Sequence, residues 1–418
     1  MVDLMTKEGA ALLETDAQPW NIYPRPQMRR EGWLNLNGEW DFTVTRWEDL
    51  PDAYDRTIRV PFCTESKLSG IGAHFPENSA LTYRKVVRLP EGFRRGRVLL
   101  HVGAADQISA VYVNRVFLGG TVGGYQASAY DITEALAAEN EIIIQVRDDL
   151  TKTDMPYGKQ TLKRGGMWYT PVSGIWQSVW LESVPEIYIE KLHIENRGAS
   201  VVISVEPAQE GTVSVKGLGD FALANGRVTI TPENPHFWSP EDPYLYDFTV
   251  TAGEDSIESY FAIRTLEIKK VGAYQRLCLN GKPYFFHGLL DQGYWPDGLL
   301  TPPGPRSYED DICNMKKTGL QYAAQAHQGG DGAFLLPVRP HGHDRLPGHG
   351  QQRRLQLCPR HCAAHRLPDV SEAGRPDAPP GRADPGDVPA GDGSHGEATA
   401  QSSLHLLLDH FQRGLGPV

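Results

Sequence analysis

Short apolar runs recur along the chain from about Trp33 to Glu182, and turns rich in glycine, proline and asparagine separate them. The runs include RVLLHV, AVYVNRVFLGG, EIIIQV and QSVWLE, in which large apolar side chains often occupy alternate positions. Alternation with a period of two is typical of β-strands that bury one face. The pattern therefore predicts an all-β sandwich that contains a hairpin turning at Asn114 and Arg115.

A second strand-rich block runs from about Tyr188 to Ile268 and contains VVISVE, GTVSVKG, RVTIT and YDFTVTAG. It predicts another sandwich, so the expected fold class is mainly β, with two β-sandwiches in series and no α/β domain among them. The periodicity changes in SYEDDICNMKKTGL, where Ile312, Met315 and Leu320 follow a helical spacing. We expect a helix there.

Composition and charge narrow the class of protein. The chain has 418 residues and a hydrophobic content of 40%, which suits a globular protein of roughly two to four domains. Its net charge of -11 argues against nucleic acid or an anionic membrane as the main partner, because both would repel it. The first residues include acidic side chains and lack the apolar run of an export signal, and five cysteines are a sparse set for a disulfide framework. We therefore expect a cytoplasmic protein without a membrane segment.

The composition changes abruptly at Leu320. From there to Val418 the sequence contains no lysine, asparagine, isoleucine, methionine or tryptophan, and it is crowded with proline, glycine, histidine and arginine. Such a segment lacks the branched and aromatic side chains whose burial offsets the entropy of ordering a backbone. We expect it not to fold as the preceding part does.

Strings in both blocks, taken in order, resemble glycoside hydrolase family 2, which includes β-galactosidases, β-glucuronidases and β-mannosidases. The first block is similar to the family's sugar-binding jelly roll through LNGEWDF at Leu36, VPFCTESKLSGIG at Val60, YDIT at Tyr130 and WYTPVSGIWQSVWLE at Trp168. The second is similar to its immunoglobulin-like sandwich through NPHFWSPEDPYLY and FAIRTLEI. LNGKPYFFHGLLDQGYWPDGLLTPP, which begins at Leu279, resembles the hairpin and first strand of its catalytic (β/α)8 barrel.

The resemblance implies a division of the chain into five segments. They are an N-terminal extension (1–19), a sugar-binding jelly roll (20–186), an immunoglobulin-like sandwich (187–268), the start of a truncated (β/α)8 TIM barrel (269–320) and an out-of-frame tail without a native, ordered fold (321–418).

The family pattern resumes after Gly319 when the codons are read one base later. Leu320 to Asp331 can be back-translated so that the offset reading gives FNMLRKHIKVE, which continues the family motif. The same offset allows MGMIAFQDMVNNGDYSFVRD over 341–360 and ICYWTIFNEGWGQ over 405–418. The wobble bases are free, so the code permits each of these residues without requiring it. Three motifs in one constant offset predict a frameshift, either a one-base insertion or an equivalent frame error.

The resemblance implies retaining hydrolysis of β-linked glycosides. Such enzymes need two carboxyl groups about 5 Å apart, one that attacks the anomeric carbon and one that protonates the leaving oxygen and then activates water. In the offset reading the acid/base glutamate would straddle the codons of Arg413 and Gly414, and the nucleophile would lie beyond Val418. We therefore expect a glycosidase by family and an inactive chain as translated. The alternatives are a fragment that binds carbohydrate without turnover and a pseudogene product with no selected function.

Four residues are candidates for contact with a sugar. Asp149, in VRDDLTKTD, falls where some relatives have a first-domain carboxylate that reaches the sugar site, and a carboxylate can accept two hydroxyl hydrogen bonds. Asp291, Trp295 and Asp297, in DQGYWPDG, sit at the mouth of the incipient barrel, where an indole can stack on a sugar ring and carboxylates can bind hydroxyls. Structural alternatives exist for three of them: turn formation for Asp149 and Asp297, and packing for Trp295.

Aromatic residues around the SGIW motif favour a structural interpretation. Trp168, Tyr169 and Trp176 belong to a stretch in which buried indoles can anchor a sandwich edge or a domain contact.

The tail offers a zinc-like spacing that we set aside. It contains Cys358, His361, Cys362 and His365, which are ligand types that zinc prefers. Nine of the fourteen histidines follow Leu320, however, and an offset reading produces them without any metal. We predict no cofactor and no metal site. Galactoside, glucuronide and mannoside all stay open as substrates, and so does the oligomeric state.

Overall fold

The structure is mainly β, as the sequence predicts. A computed structural model describes residues 4–47, 49–150, 155–320 and 322–325. The first strands are β1 (Trp33–Asn35), β2 (Gly38–Thr45), β3 (Arg56–Val60), β4 (Ala80–Val87), β5 (Arg97–Val102), β6 (Ala105–Asp106), β7 (Ile108–Val113), β8 (Val116–Val122), β9 (Ser128–Asp131), β10 (Asn140–Arg147), β11 (Gly174–Ile175) and β12 (Val179–Val184).

These strands form the first sandwich. A six-stranded sheet has the order β3-β2-β4-β10-β7-β8, a four-stranded sheet has the order β1-β12-β5-β9, and β6 pairs with β11. The strands are antiparallel, and residues directly opposite each other, such as Ile144 and Tyr83, point into one buried core together with Phe42. The predicted hairpin joins β7 to β8 through Asn114 and Arg115, whose φ angles of 51° and 65° are the left-handed values that a two-residue turn of this kind requires.

The second block forms a second sandwich, which confirms the predicted fold class. Its strands are β13 (Lys191–Arg197), β14 (Ser200–Glu206), β15 (Gly211–Val215), β16 (Gly219–Leu223), β17 (Arg227–Ile230), β18 (Tyr246–Ala252) and β19 (Asp255–Phe261). They form sheets with the orders β13-β14-β17 and β16-β15-β18-β19. The two sheets face each other across a separate core that includes Val201, Phe248 and Ile257.

A buried set of charged residues joins the two sandwiches. Arg30 is 3% exposed, and its guanidinium donates to Glu182 of β12 at 3.1 Å, to Asp255 of β19 at 2.7 Å and to the carbonyl oxygen of Ile189 at 2.7 Å. Arg25 adds a second ion pair to Glu182. Further members surround the same glutamate, and we call the whole set the arginine network: Tyr23, Arg25, Arg30, His101, Glu182 and Asp255.

The rest of the described chain consists of a small sheet, two helices and a parallel strand pair. The strands are β20 (Leu266–Val271), β21 (Tyr274–Leu279), β22 (Lys282–Pro283), β23 (Gly288–Asp291) and β24 (Tyr322–Gln325), and the α-helices are α1 (Lys7–Leu13) and α2 (Pro305–Lys317). Short 3-10 helices cover Pro26–Met28, Lys67–Ser69 and Thr133–Ala135.

Helix α2 confirms the helix expected from the spacing of Ile312 and Met315, although it ends before Leu320. It connects β23 to β24, which run parallel, so the three elements form a β-α-β unit. This unit differs from the expectation for the tail, because β24 falls within 321–418. Strand pairing uses main-chain groups, which every residue except proline supplies in full, and this explains why an unfavourable composition still permits a short strand.

The other predictions about the tail lie outside the described residues. These are the offset motifs, the codons of Arg413 and Gly414, and the zinc-like set from Cys358 to His365. In the described part, no helix has the length and apolar character needed to cross a lipid bilayer.

Candidate functional site

The carboxyl end of β23 meets a long loop of the first sandwich. The rings of Tyr169 and Tyr294 stack with their centroids 4.3 Å apart and their planes 14° from parallel. Lys159 Nζ donates to Gln292 Oε1 at 3.2 Å, and the Thr301 hydroxyl donates to the carbonyl oxygen of Trp176. The first barrel-like strand is therefore attached to the jelly roll by side chains of the segment between β23 and α2.

An apolar cluster lies beneath this contact. Cys63, Trp176 and Leu300 are buried in it, and Tyr125 and Tyr294 pack against them. The indole of Trp176 donates to the carbonyl oxygen of Gly124 at 2.7 Å, which satisfies its polar atom in the interior. This confirms the structural role predicted for Trp176. Trp168 differs, because its side chain is 40% exposed and so does not anchor a buried edge.

Asp291 is the last residue of β23 and lies where barrel enzymes place functional groups. Its Oδ1 accepts from the backbone N–H of Gly293 at 2.9 Å, and the side chain is half-buried. Burial raises the pKa of Asp311 on α2, and the negative charge of Asp291 adds to that rise. The carboxylate of Asp291 is thus close to the strand end and only partly used by its local turn.

Trp295 and Asp297 have structural contacts. The Trp295 ring packs edge-on against Tyr308, 5.0 Å between centroids, in a cluster with Trp20. Asp297 is fully buried, and its Oδ2 accepts from the backbone N–H and the hydroxyl of Thr6 at 2.9 and 2.6 Å. Since Thr6 is the N-cap of α1, Asp297 holds the N-terminal helix against the start of the barrel.

Asp149 follows β10 in the first sandwich and is buried, with 3% of its surface exposed. Its Oδ2 lies 3.6 Å from Arg147 Nε. It belongs to a group of carboxylates of which the sequence analysis singled out Asp149 alone, and we call this group the acid cluster: Glu65, Asp106, Asp148 and Asp149. The structure therefore places Asp149 beside other acids and does not bring it into contact with Asp291.

Basic side chains lie beside only part of the acid cluster: Arg147 Nε is 3.6 Å from Asp149 Oδ2, and His74 Nδ1 is 2.7 Å from Glu65 Oε1. Burial raises the pKa of Asp148 well above its usual range, and the charges of Asp106 and Glu65 raise it further. Burial and Glu65 also raise the pKa of Asp106, whose Oδ2 accepts from Gln160 Nε2 at 3.2 Å. Among the described residues, neither carboxylate oxygen of Asp148 has a hydrogen-bond partner. Both carboxyl groups are therefore held toward their protonated forms.

Gln160 connects the acid cluster to the contact with the barrel start. Its Nε2 donates to Asp106 and to the Tyr125 hydroxyl at 3.1 Å, while its Oε1 accepts from the backbone N–H of Val172 at 2.6 Å. Sequence reasoning missed this residue, and a lone glutamine in a loop carries no motif that could reveal it. The adjacent aspartates after β10 were a visible signal for the cluster itself.

The described residues contain no group of three or more histidine, cysteine, aspartate or glutamate side chains placed to hold a metal ion. What the arrangement offers is a half-buried carboxylate at a strand end, an aromatic pair and a lysine, all on one side of a barrel start. Such groups are suited to binding a polar, ring-shaped ligand.

Comparison with protein families finds one match. Residues 187–264 match the model of glycosyl hydrolases family 2. The matched region corresponds to the second sandwich.

Curated relatives extend the similarity beyond that sandwich. A β-galactosidase of Thermoanaerobacter pseudethanolicus is 26% identical over 333 residues, which cover 70% of this chain and 43% of the relative. A β-glucuronidase of Felis catus is 24% identical over 333 residues, which cover 64% of this chain and 49% of the relative. The chain thus spans less than half the length of these two relatives.

Solved structures share the fold. The β-glucuronidase of Faecalibacterium prausnitzii superposes with a TM-score of 0.60 at 21% identity, over 75% of this chain and 59% of that one. A β-D-glucuronidase from Dictyoglomus thermophilum gives a TM-score of 0.60 at 22% identity, over 75% of this chain and 57% of that one. At these identities the match supports the architecture alone.

Proposed function

Because this chain belongs to glycosyl hydrolases family 2, of which it carries the N-terminal part, we propose that it derives from a retaining glycosidase of β-linked sugars. The two sandwiches and the β23-α2-β24 unit would form one wall of the sugar site. The opposite wall would come from the remaining strands of the barrel. We also keep the cytoplasmic location inferred from the sequence as part of this proposal.

The contact between the first sandwich and β23 carries the proposal. The Tyr169–Tyr294 stack and the Lys159–Gln292 hydrogen bond fix the jelly-roll loop against the strand end that would bear substrate-binding groups. A loop held in this way can contribute to a sugar site that is centred on the barrel.

We propose Asp291 as a residue that binds sugar hydroxyls, because its carboxylate is partly exposed at the strand end. Asp149 stays a prediction, since its buried side chain would have to become accessible before a sugar could touch it. Trp295 and Asp297 are left out of the proposed site because packing and the Thr6 contact account for them.

We further propose that the chain as translated has no hydrolase activity. Retaining hydrolysis needs an acid/base carboxyl group opposite the nucleophile. In the offset reading that group is encoded across the codons of Arg413 and Gly414, so the translated chain does not contain it. Binding of a sugar without turnover would remain possible, because the jelly roll has a complete core.

A comparison of two genes tests the proposal. The first encodes this chain, and the second lacks one base between the codons of Lys317 and Asp331 and extends to the family's full length. Both products are assayed with the p-nitrophenyl β-glycosides of galactose, glucuronic acid and mannose. We expect hydrolysis of at least one substrate by the second product only.

A matched variant identifies the catalytic group. In the second gene, the glutamate codon of the restored Asn-Glu pair is changed to glutamine, and activity should fall by roughly three or more orders of magnitude while the fold is kept. A folded second product that cleaves none of the three substrates contradicts the glycosidase proposal. Equal activity of both products contradicts the proposed loss of function.

A further inference from the structure

Strand β8 lies at an edge of the six-stranded sheet and is unusual among the edge strands of the first sandwich. It is seven residues long, VFLGGTV, and contains no charged side chain. Among the described strands it pairs only with β7, so its outer main-chain groups face away from the sheet. A long, uncharged edge of this kind can pair with another strand.

The other three edges of the sandwich are protected. The opposite edge of the same sheet, β3, carries Arg56 and Arg59, and a charged side chain on an edge opposes strand addition. In the second sheet, β1 has only three residues, and β9 has four and ends at Asp131, which is ion-paired with Arg97. Among the described residues, β8 has no such protection.

Large apolar side chains of β8 are exposed on the outer face of the six-stranded sheet. Phe117 is 60% exposed and Val122 is 64% exposed. Their partners in β7 are Tyr112 and Ile108, which share the outer face of the sheet because they are four residues apart along a strand. Gly120 lies opposite Ala110 and therefore belongs to the same face, between the two exposed residues.

We propose that β8 pairs antiparallel with β8 of a second copy of this chain, around a two-fold axis near Gly120. A register bulge in β8 between Phe117 and Gly119 shifts the strand by one residue. With that shift, Phe117 of each copy lies opposite Val122 of the other on the outer face. An edge that matches itself in this way, with an apolar pair on each side of the axis and no like charges to oppose, fits an identical partner.

The described contacts between the barrel start and the first sandwich lie outside β8, and they include a cluster with Tyr125, which follows the strand by three residues. They also involve Tyr169, Trp176 and Lys159, whereas the first residue of β8 follows Arg115, which pairs with Asp52. A seven-residue strand spans only about 23 Å. The contact is thus at the small end of specific interfaces, and we expect a dimer with a dissociation constant on the order of micromolar.

Analytical ultracentrifugation of the full chain tests the proposal over roughly 1–100 μM. The expected mass rises with concentration from 46.4 kDa toward twice that value. Phe117→Lys should shift the midpoint of this rise at least tenfold upward in concentration, because it places two like charges at the edge. Phe285→Lys is the matched control, since Phe285 is 82% exposed but lies between β22 and β23, outside the first sandwich.

Each outcome decides the proposal. A wild-type chain that stays monomeric to the highest concentration overturns it, and shows that another part of the same chain covers β8 or that nothing does. Association that survives Phe117→Lys and disappears with Phe285→Lys also overturns it, since the contact would then lie at the barrel start. At the lowest concentration, at which the dimer adds least to stability, both variants should keep an unfolding midpoint close to that of the wild type, because both phenylalanines are more than half exposed.

A cross-linking measurement checks the register. Chains with Phe117→Cys are mixed with chains with Val122→Cys at 100 μM and oxidised, and a covalent dimer that contains one chain of each type is expected. Neither variant alone should give more covalent dimer than the wild type. Equal cross-linking in the mixture and in the separate samples contradicts the register.

Discussion

The chain contains two buried groups of charged residues that differ in how their charge is balanced. In the arginine network, Glu182 is fully buried and lies between Arg25, Arg30 and His101. Burial alone would raise its pKa, but the hydrogen bond from His101 and the charges of both arginines hold the pKa well below its usual range. In the acid cluster, burial and the neighbouring acids act in the same direction and raise the pKa of Asp148.

The difference separates a structural role from a potential functional one. A buried carboxylate with cations around it stays ionised and fixes two elements in one geometry, here the two sandwiches. A buried carboxyl group without a cation retains its proton and lowers stability when it is forced to ionise. Strongly raised pKa values of this kind are common at functional sites, and the acid cluster is connected through Gln160 to the proposed sugar-binding side of the molecule.

The largest expected effect is the loss of stability when the arginine network is disrupted. Arg30→Met keeps most of the side-chain volume but leaves Glu182 and Asp255 without their shared cation, and we expect the free energy of unfolding to fall by about 3–5 kcal/mol. Urea denaturation of the full chain measures this loss. Arg88→Met is the control, because Arg88 pairs with Glu139 on the surface, and it should cost less than about 1 kcal/mol. Equal losses in the two variants would contradict a structural role for the network.

A change of opposite sign is expected in the acid cluster. The raised folded-state pKa of Asp148 means that the unfolded chain releases its proton first, so stability falls as the pH rises from about 4 toward the folded-state pKa. Asp148→Asn removes this dependence, and we expect the variant to gain about 1–3 kcal/mol over the wild type between pH 4 and pH 8. Urea denaturation at both pH values provides the test.

Asp131→Asn is the matched control for that experiment. Contacts with Thr133 and Arg97 hold the pKa of Asp131 below its usual value, so its contribution to stability is present above its unfolded-state pKa and is lost as the pH falls through the folded-state pKa. Because the folded-state pKa lies below the unfolded-state value of about 3.9, the stability difference between this variant and the wild type should stay nearly constant between pH 4 and pH 8. Gains of the same sign in both variants would show that the cluster is not distinctive.

The smallest expected effect is a pH dependence of stability caused by His101 in the arginine network. Burial and the two arginines lower the pKa of His101, which also stacks on Trp180 at 4.6 Å. The unfolded chain therefore takes up a proton first as the pH falls through about 6.5, and stability should decrease by up to about 1 kcal/mol between pH 7.5 and pH 5. The difference between the wild type and His101→Gln isolates this dependence. A pH-independent difference would contradict it.

The sequence predicted the architecture because strands and turns depend on local patterns. The alternating runs gave the two sandwiches, and the hairpin at Asn114 and Arg115 and the helix containing Ile312 and Met315 lie where the patterns placed them. The roles of residues that depend on partners far away in the sequence were harder to predict. Asp297 is in contact with Thr6, which lies 291 residues away, and no local pattern indicates such a pairing.

The candidate site could be predicted only in part for the same reason. Asp291 ends strand β23, which is a local feature, and its contact with a sugar stays a prediction. The exposure of Trp168 and the burial of Asp149 depend on how the long loop after β10 packs, and hydrophobicity alone does not determine that. The role of Gln160 could be identified only from its three hydrogen bonds in the structure.

Arg30 has a consequence for synthesis on the ribosome. Its partner Glu182 is 152 residues further along the chain, and Asp255 is 225 residues further. At about 5–20 residues per second, the second partner is made about 11–45 s after the arginine. During that interval a nascent first sandwich carries a guanidinium that has only part of its final contacts. The junction can close only when the last strand of the second sandwich emerges, so the order of translation sets the order in which the two halves dock.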